Sequence, residues 1–480
     1  MALLFAPFMT LIITLLASPL AASDRYELGK RLQRFEREWQ GATPVSRARA
    51  VAPMQSAVGS FFTLQFGRAA KNLDEAWFAI RSDELPGAEE RAAFSQRILL
   101  APRLIDTAST GLKVSTGPCY SVEGMLDPGA QIRLELRCMD GTVAAKQSFP
   151  WSELPQGVTL KLDEVGAGDF QLVLVGTVGA KSIELPPVMV SRVERLAERM
   201  AAIEQAQGQW PESAAESVRA TVASLHGLLK SIGSDQVQET DFPAQRLIDH
   251  CEKLIASKGQ SVGVLRELAA GQDAWITLAR EGRQAPVRAR APKLPAAENE
   301  ATTKTLPVLF LFHGAGGSEN MFFDAYGAGR AVDLGTQRGW LVVATRQTLS
   351  DKMDCAALVD ILSESFPVDR NRVFCMGHSM GAGQVVRQVS RHPELMKAAV
   401  ALGGGARPGN AESLRPVRWF VGAGDADFGR SGAASLARSL EKSSVPVTYR
   451  EYKNVEHMVI VQAALDDVFS FFDDVNRDIK

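Results

Sequence analysis

The chain of 480 residues is poor in several residue types, and each shortage excludes something. It has five cysteines, Cys119, Cys138, Cys251, Cys355 and Cys375, too few and too scattered for a disulfide-stapled scaffold. No C-x-x-C occurs and no His/Cys group has zinc spacing, so a metal site is not expected. Charge of one sign is not in excess: 53 basic against 55 acidic side chains leave a formal charge of −2. No global field therefore draws the molecule to nucleic acid or to anionic lipid. Long apolar runs are missing after the first 23 residues, and no internal repeat or low-complexity tract stands out. What is present is ordinary: 46% hydrophobic and 22% charged residues, enough to build buried cores.

The exception lies at the start. Residues 2–17 are nearly all apolar, no charge precedes Asp24, and the small residues Ala21-Ala22-Ser23 follow. The run carries Pro7 and is short for a membrane span of about 20 residues. Residues 1–23 thus read as an export signal, although no Lys or Arg precedes the apolar run, and an uncleaved anchor is the alternative. The expectation is an exported protein in the periplasm, at the cell surface or outside the cell. In such a setting Cys119 and Cys138, in one strand-rich region, either bridge or stay as two reduced buried thiols.

Periodicity divides the rest. Residues 24–110 read as helical, with Pro86-Gly87 and Pro102 as punctuation. Residues 111–189 carry short apolar stretches between turn pairs, the texture of a small antiparallel β-sandwich. Residues 190–268 return to helical spacing. From 269 to 480 strand and helix alternate. The expected strands are Ala274–Arg280, Val287–Ala291, Val308–Phe312, Leu341–Thr345, Arg372–Met376, Ala398–Leu402, Arg418–Val421 and Thr448–Tyr452. Several are unbroken apolar runs, as strands covered on both faces must be. The expected class is α/β: a doubly wound, mostly parallel sheet at the C-terminus, preceded by helical segments and the sandwich.

One motif carries chemistry. Gly377-His378-Ser379-Met380-Gly381 follows the strand Arg372–Met376 and opens a helical segment. In that context G-x-S-x-G is a nucleophile elbow, a tight strand-to-helix turn that lifts the serine oxygen clear of the sheet. A serine hydroxyl needs a base and an orienting acid, which follow it in this order along the chain. Six histidines are available. His226 and His250 fall in the helical middle, His313 belongs to another motif, His378 adjoins Ser379, and His392 precedes Pro393 at a helix end. His457, just past the last expected strand, remains. For the acid, Asp425 and Asp427 compete in Gly422-Ala423-Gly424-Asp425-Ala426-Asp427. Asp425 is preferred because it lies three residues past Gly422, where the loop should have turned over the sheet edge.

A fourth element is His313-Gly314-Ala315-Gly316-Gly317-Ser318 after the strand Val308–Phe312. Its backbone can approach a developing oxyanion, so Ala315, with Gly316 behind it, and Met380 are the expected amide donors. A phosphate-binding loop is the rival, but neither G-x-x-x-x-G-K-[ST] nor G-x-G-x-x-G is present.

The blocks H-G-A-G-G-S, G-H-S-M-G-A-G, G-A-G-D and E-H resemble the α/β-hydrolase superfamily. Within it the compact form resembles exported esterases of the polyhydroxybutyrate depolymerase and feruloyl esterase type. The resemblance covers residues 270–480. It implies Ser379 as nucleophile, His457 as base, Asp425 as acid, Ala315 and Met380 as oxyanion donors, and no cofactor. Two departures stand out: Asp427-Phe428-Gly429 follows the acid where an apolar or Pro-containing loop is usual, and Glu456 precedes His457 where glycine is common. Glu456 is placed to raise the histidine's pKa. The expected activity is hydrolysis of carboxylic esters through an acyl-enzyme, falling below about pH 6 as the imidazole protonates. A serine peptidase of the same fold, or a scaffold protein with a relic hydrolase domain, are the alternatives. About 14 residues separate Leu402 from Val417, too few for the lid of many lipases, so the site should be open to bulky or polymer-attached acyl groups.

Overall fold

A computed structural model describes residues 19–178, 181–259, 263–293, 305–346 and 353–479. Most of the expected export signal, and the connection at 294–304, lie outside the described residues. Among the described residues no helix is long and apolar enough to cross a membrane, and no cluster of His, Cys, Asp and Glu could hold a metal ion. The chain divides into two compact units, neither continuous in sequence.

The first unit comprises Met1–Phe35, Ser56–Gln209 and Ala223–Ile255. It takes the first part of helix α1 (Pro19–Gly41), the end of α2 (Pro44–Phe62), then α3 (Phe66–Arg81) and α4 (Ala88–Phe94). Nine strands follow: β1 (Gln96–Leu100), β2 (Leu104–Asp106), β3 (Gly111–Pro118), β4 (Gln131–Cys138), β5 (Val143–Pro150), β6 (Val158–Lys161), β7 (Gly168–Val178), β8 (Lys181–Glu184) and β9 (Val188–Val193). They form a three-stranded sheet in the order β1-β3-β6 and a six-stranded one in the order β2-β9-β7-β4-β5, with β8 on β7. Two strands precede residue 111, so the sheet region begins earlier than the alternation of apolar residues suggests. β2 runs parallel to β9, a departure from the all-antiparallel expectation. Cys119 and Cys138 are free thiols, as are the other three cysteines. Buried Arg31 pairs with Glu27 at 2.5 Å and Asp74 at 3.1 Å and donates to the carbonyls of Phe94 and Gln96, which ties α1 to α3, α4 and β1. Helix α5 (Leu196–Gln207), most of α6 (Glu216–Gly233) and all but the last residue of α7 (Ala244–Ala256) complete the unit.

The second unit comprises Glu36–Gln55, Trp210–Val222 and Ala256–Lys480. Its boundary falls at 256 rather than 269, and two short stretches from the expected helical regions belong to it. Its sheet is built from β10 (Ala274–Arg280), β11 (Arg283–Arg290), β12 (Leu306–Phe312), β13 (Leu341–Thr345), β14 (Val368–His378), β15 (Met396–Leu402), β16 (Arg418–Gly424) and β17 (Val447–Tyr452). The spatial order is β10-β11-β13-β12-β14-β15-β16-β17. β10 and β11 are antiparallel, β11 joins β13 antiparallel, and every later pairing is parallel. The sheet is thus mostly parallel, with β11 alone running against its neighbours.

Helices α8 (Gly263–Ala269), α9 (Met321–Asp324), α10 (Arg330–Gln337), α11 (Cys355–Ser365), α12 (Met380–Arg391), α13 (Arg430–Lys442) and α14 (Ile460–Asp478) complete the unit. Every residue of β12 and β13 is buried, which is why those strands read as unbroken apolar runs. Trp340 packs at 4.9 Å from Phe374 and at 6.1 and 5.9 Å from Phe469 and Phe472, so α14 shares one aromatic core with β14.

β10 ends the sheet, and side chains rather than another strand bond its outer edge. Ser217 Oγ accepts from the Ala279 amide at 2.9 Å and Thr221 Oγ1 from the Thr277 amide at 3.0 Å. One turn of helix separates the two hydroxyls, which matches the two-residue step along the strand and saturates an edge that could otherwise pair with another chain.

Candidate active site

The elbow forms where β14 meets α12. Ser379 sits between them with φ 55° and ψ −116°, a left-handed conformation that a residue with a side chain adopts only under constraint. The constraint is visible in its neighbours. A Cβ on Gly377 would collide with the Gly381 carbonyl, and one on Gly381 would collide with the Phe312 carbonyl. The turn closes because both positions lack that atom. Ser379 is partly exposed while the strand leading to it is buried.

The Gly-rich loop after β12 lies beside this serine. A Cβ on Gly314 would stand 3.3 Å from Ser379 Cβ. Ala315 and Met380 are partly exposed, and neither amide donates a hydrogen bond within the described protein. Met380 is the first residue of α12, where backbone N–H groups lack intrahelical acceptors. The Gly314 amide is already used, donating to Tyr326 Oη at 3.2 Å.

His457 lies in the loop between β17 and α14 and is buried. Its Nδ1 meets Asp427 Oδ1 at 2.6 Å. Asp427, not Asp425, is therefore the carboxylate on His457. The reason is the length of β16, which continues to Gly424, three residues beyond its expected end. The Asp425 amide still bonds the Tyr452 carbonyl at 2.9 Å as a continuation of the ladder, and its exposed carboxylate accepts from the Asn454 amide at 2.8 Å. The loop turns inward only afterwards, which delivers Asp427. Burial works against ionisation of Asp427, but the His457 bond and the Gly429 amide, 2.6 Å away, outweigh it and hold the carboxyl below its ordinary range.

Phe428 covers the histidine: the two rings are 3.9 Å apart and 33° from parallel, although Phe428 remains 61% exposed. Glu456, which precedes His457, is also buried. Burial pushes its carboxyl up to about 7, opposed by the Met458 amide, which donates to its Oε2 at 2.8 Å. A second carboxyl, Glu36 from α1, is fully buried nearby. Burial drives it well above its ordinary value; the Gly327 amide opposes this and Glu456 adds to it. Gln55 of α2 donates to the Ala426 carbonyl at 2.9 Å, next to Asp427. Glu36 and Gln55 carry no sequence signal of their own, because nothing local marks which distant residue will meet this loop.

The remaining histidines lie elsewhere or serve other bonds. His226 and His250 are in the first unit, and His392 pairs with Asp354 at 2.9 Å. His313 Nδ1 meets the Gly314 carbonyl of its own loop at 2.7 Å.

The second unit thus combines a mostly parallel eight-stranded sheet with a serine on a glycine-flanked strand-to-helix turn. No protein-family profile matches the sequence, and no curated protein sequence matches it. Among solved structures, a thermostable esterase matches at 19% identity and a TM-score of 0.36, over 43% of this chain and 64% of that one, just under two thirds of its length. A ferulic acid esterase matches at 17% identity and a TM-score of 0.36, over 43% of this chain and 98% of that one. An S-formylglutathione hydrolase from Staphylococcus aureus matches at 17% identity and a TM-score of 0.33, over 42% of this chain and 97% of that one.

Proposed function

We propose that this chain is a serine hydrolase of carboxylic esters, with Ser379 as nucleophile, His457 as base and Asp427 as the orienting acid. The observation that carries the reading is the strained Ser379 on its glycine-flanked turn, at the same sheet edge as a buried Asp427–His457 pair. In the reaction, His457 takes the Ser379 proton as Oγ attacks the ester carbonyl, and the resulting imidazolium is stabilised by Asp427. The tetrahedral oxyanion is received by the Met380 and Ala315 amides, each such donor being worth roughly 3 kcal/mol of barrier. Collapse expels the alcohol, which takes the proton from His457. Water activated by His457 then hydrolyses the acyl-enzyme and frees Ser379.

The substrate class follows from what surrounds the serine. Residues 403–417 between β15 and β16 contain only a single short turn, Glu412–Leu414, and no helix that could close over the site. A partly exposed serine with the exposed ring of Phe428 beside His457 suits a bulky, apolar or polymer-attached ester. Export through residues 1–23 would give access to such substrates outside the cell. A panel of p-nitrophenyl esters, run beside peptide amides, tests the reading. Ester turnover that disappears in Ser379→Ala supports it. Turnover of amides alone, or ester turnover that survives Ser379→Ala, contradicts it.

A further inference from the structure

Two buried side chains beside the elbow are not used in that chemistry, and they form an unbroken connection. The Gly314 amide donates to Tyr326 Oη at 3.2 Å; Tyr326 Oη lies 2.8 Å from His378 Nδ1; His378 Nε2 lies 2.9 Å from the His457 carbonyl oxygen. The direction of every bond is fixed by elementary valence. A carbonyl only accepts, so His378 Nε2 carries a proton. Burial, with His457 beside it, pushes the His378 pKa down to about 3, so the ring is neutral and its Nδ1 bears no proton. Nδ1 therefore accepts, and the tyrosine hydroxyl donates to it while accepting from Gly314. No donor is spent twice.

Packing holds the same arrangement. The Tyr326 ring meets His378 edge-to-face at 4.8 Å and Phe322 at 4.9 Å, and the His378 ring lies 4.6 Å from that of His457. A Cβ on Gly314 would come within 3.0 Å of Tyr326 Oη, so the loop backbone sits as close to the hydroxyl as it can. Tyr326 itself is held in the short 3-10 turn Tyr326–Gly329, where Gly327 has φ 58°.

We propose that Tyr326 and His378 are positioning residues, a brace that fixes the oxyanion loop at Gly314 and the His457 loop relative to each other on either side of Ser379. This rests on the ester hydrolase reading for its catalytic consequence, though not for its structural one. Neither residue touches substrate. Ser379 must face a base on one side and amide donors on the other, and an error of about 1 Å in such a setting costs on the order of 100-fold in rate. The x position of the G-x-S-x-G turn thereby acquires a function its neighbour's chemistry does not reveal.

The test uses the full chain with Tyr326→Phe, His378→Gln and the double variant. Tyr326→Phe removes one oxygen. His378→Gln can set its amide nitrogen in the place of Nε2, but its one acceptor, Oε1, then no longer occupies the position of Nδ1, so the link to the tyrosine is cut. Each should lower kcat about 10-fold with KM within about twofold, and the double variant should be no slower than the slower single, because both cut one link. Multiplied losses of about 100-fold, or a Tyr326→Phe kcat within twofold of the parent, overturn the brace. Hydrogen exchange gives a readout independent of turnover. In either variant the amides of Gly314 and of residues 456–459 should exchange faster together, and unchanged exchange at both loops rejects the proposal. Should the parent hydrolyse no ester, the functional reading fails while exchange still decides the brace. Should Tyr326→Phe not fold, His378→Gln carries the same measurement.

Discussion

Two aspartates two positions apart have opposite surroundings, and that contrast yields the sharpest expectation for a single side chain. Asp427 is buried against His457, whereas Asp425 is exposed and bonded only to a backbone amide. Asp427→Asn should lower kcat about 1,000- to 10,000-fold, since it fixes the wrong imidazole tautomer. Asp425→Asn should change kcat by less than about threefold. Steady-state kinetics of the two variants checks the assignment, and equal losses would defeat it. Local sequence favours Asp425, whereas the carboxylate on His457 is that of Asp427, because the choice depends on where β16 leaves the sheet, a property of its pairing with β17 rather than of either aspartate.

The carboxyls around the histidine loop have opposite linkage to folding. Asp427 is held below its ordinary range, so its contribution to stability is present above that range and is lost as pH falls through the native value. Glu456, raised to about 7, behaves in reverse. Its protonated form suits the fold, so stability is full below the ordinary glutamate range and declines as pH rises through about 7. The melting temperature should therefore drop by a few degrees between about pH 5 and 8, and Glu456→Gln should flatten that slope. A parallel slope in parent and variant would show that Glu456 is not the group responsible. His378, neutral down to about 3, does not titrate in this window.

At the scale of elements, the elbow is a contact between three segments rather than a property of one turn. Gly381 presses on the Phe312 carbonyl at the end of β12, and Gly377 on Gly381 itself. Gly381→Ala should displace the start of α12 from β12 and reduce activity at least about 100-fold, with an accompanying fall in melting temperature. Wild-type turnover in that variant would mean the turn tolerates a wider geometry than its packing indicates. The strands were readable because parallel strands covered on both faces must be continuous apolar runs, and the observed β12, β13 and β15 begin no more than two residues from the expected ones and end on the same residues. Helices α9 and α10, between β12 and β13, were not read. They are short, and α9 begins straight after the Gly-rich loop with no side-chain cap to announce it. Tyr326, on which the loop amide depends, lies in that unread segment.

At the scale of the molecule, the second unit is assembled from three separated stretches of chain. Residues 36–55 bring Glu36 toward Glu456 and Gln55 onto the Ala426 carbonyl, and residues 216–222 seal β10. Periodicity reads these stretches as helical, but it carries no information about the distant partner of a helix. A fragment beginning at residue 269 therefore lacks part of its own unit. It should aggregate or retain less than about a tenth of the full chain's turnover, measured on the same ester, and full activity in it would contradict the division. The five thiols are unpaired, and burial pushes those of Cys119, Cys251, Cys355 and Cys375 above the ordinary range, so reducing agents should leave both stability and turnover unchanged.

The central claim is that Ser379 is an activated nucleophile, and phosphonylation addresses it most directly. The full chain is treated with a fluorophosphonate at neutral pH, and the adduct is located by mass spectrometry of the intact protein and of its peptides. The account predicts one phosphonyl group per chain, on the peptide containing Ser379, formed at least about 100-fold more slowly in His457→Gln. An unmodified protein, or a modification on a different residue, would contradict it.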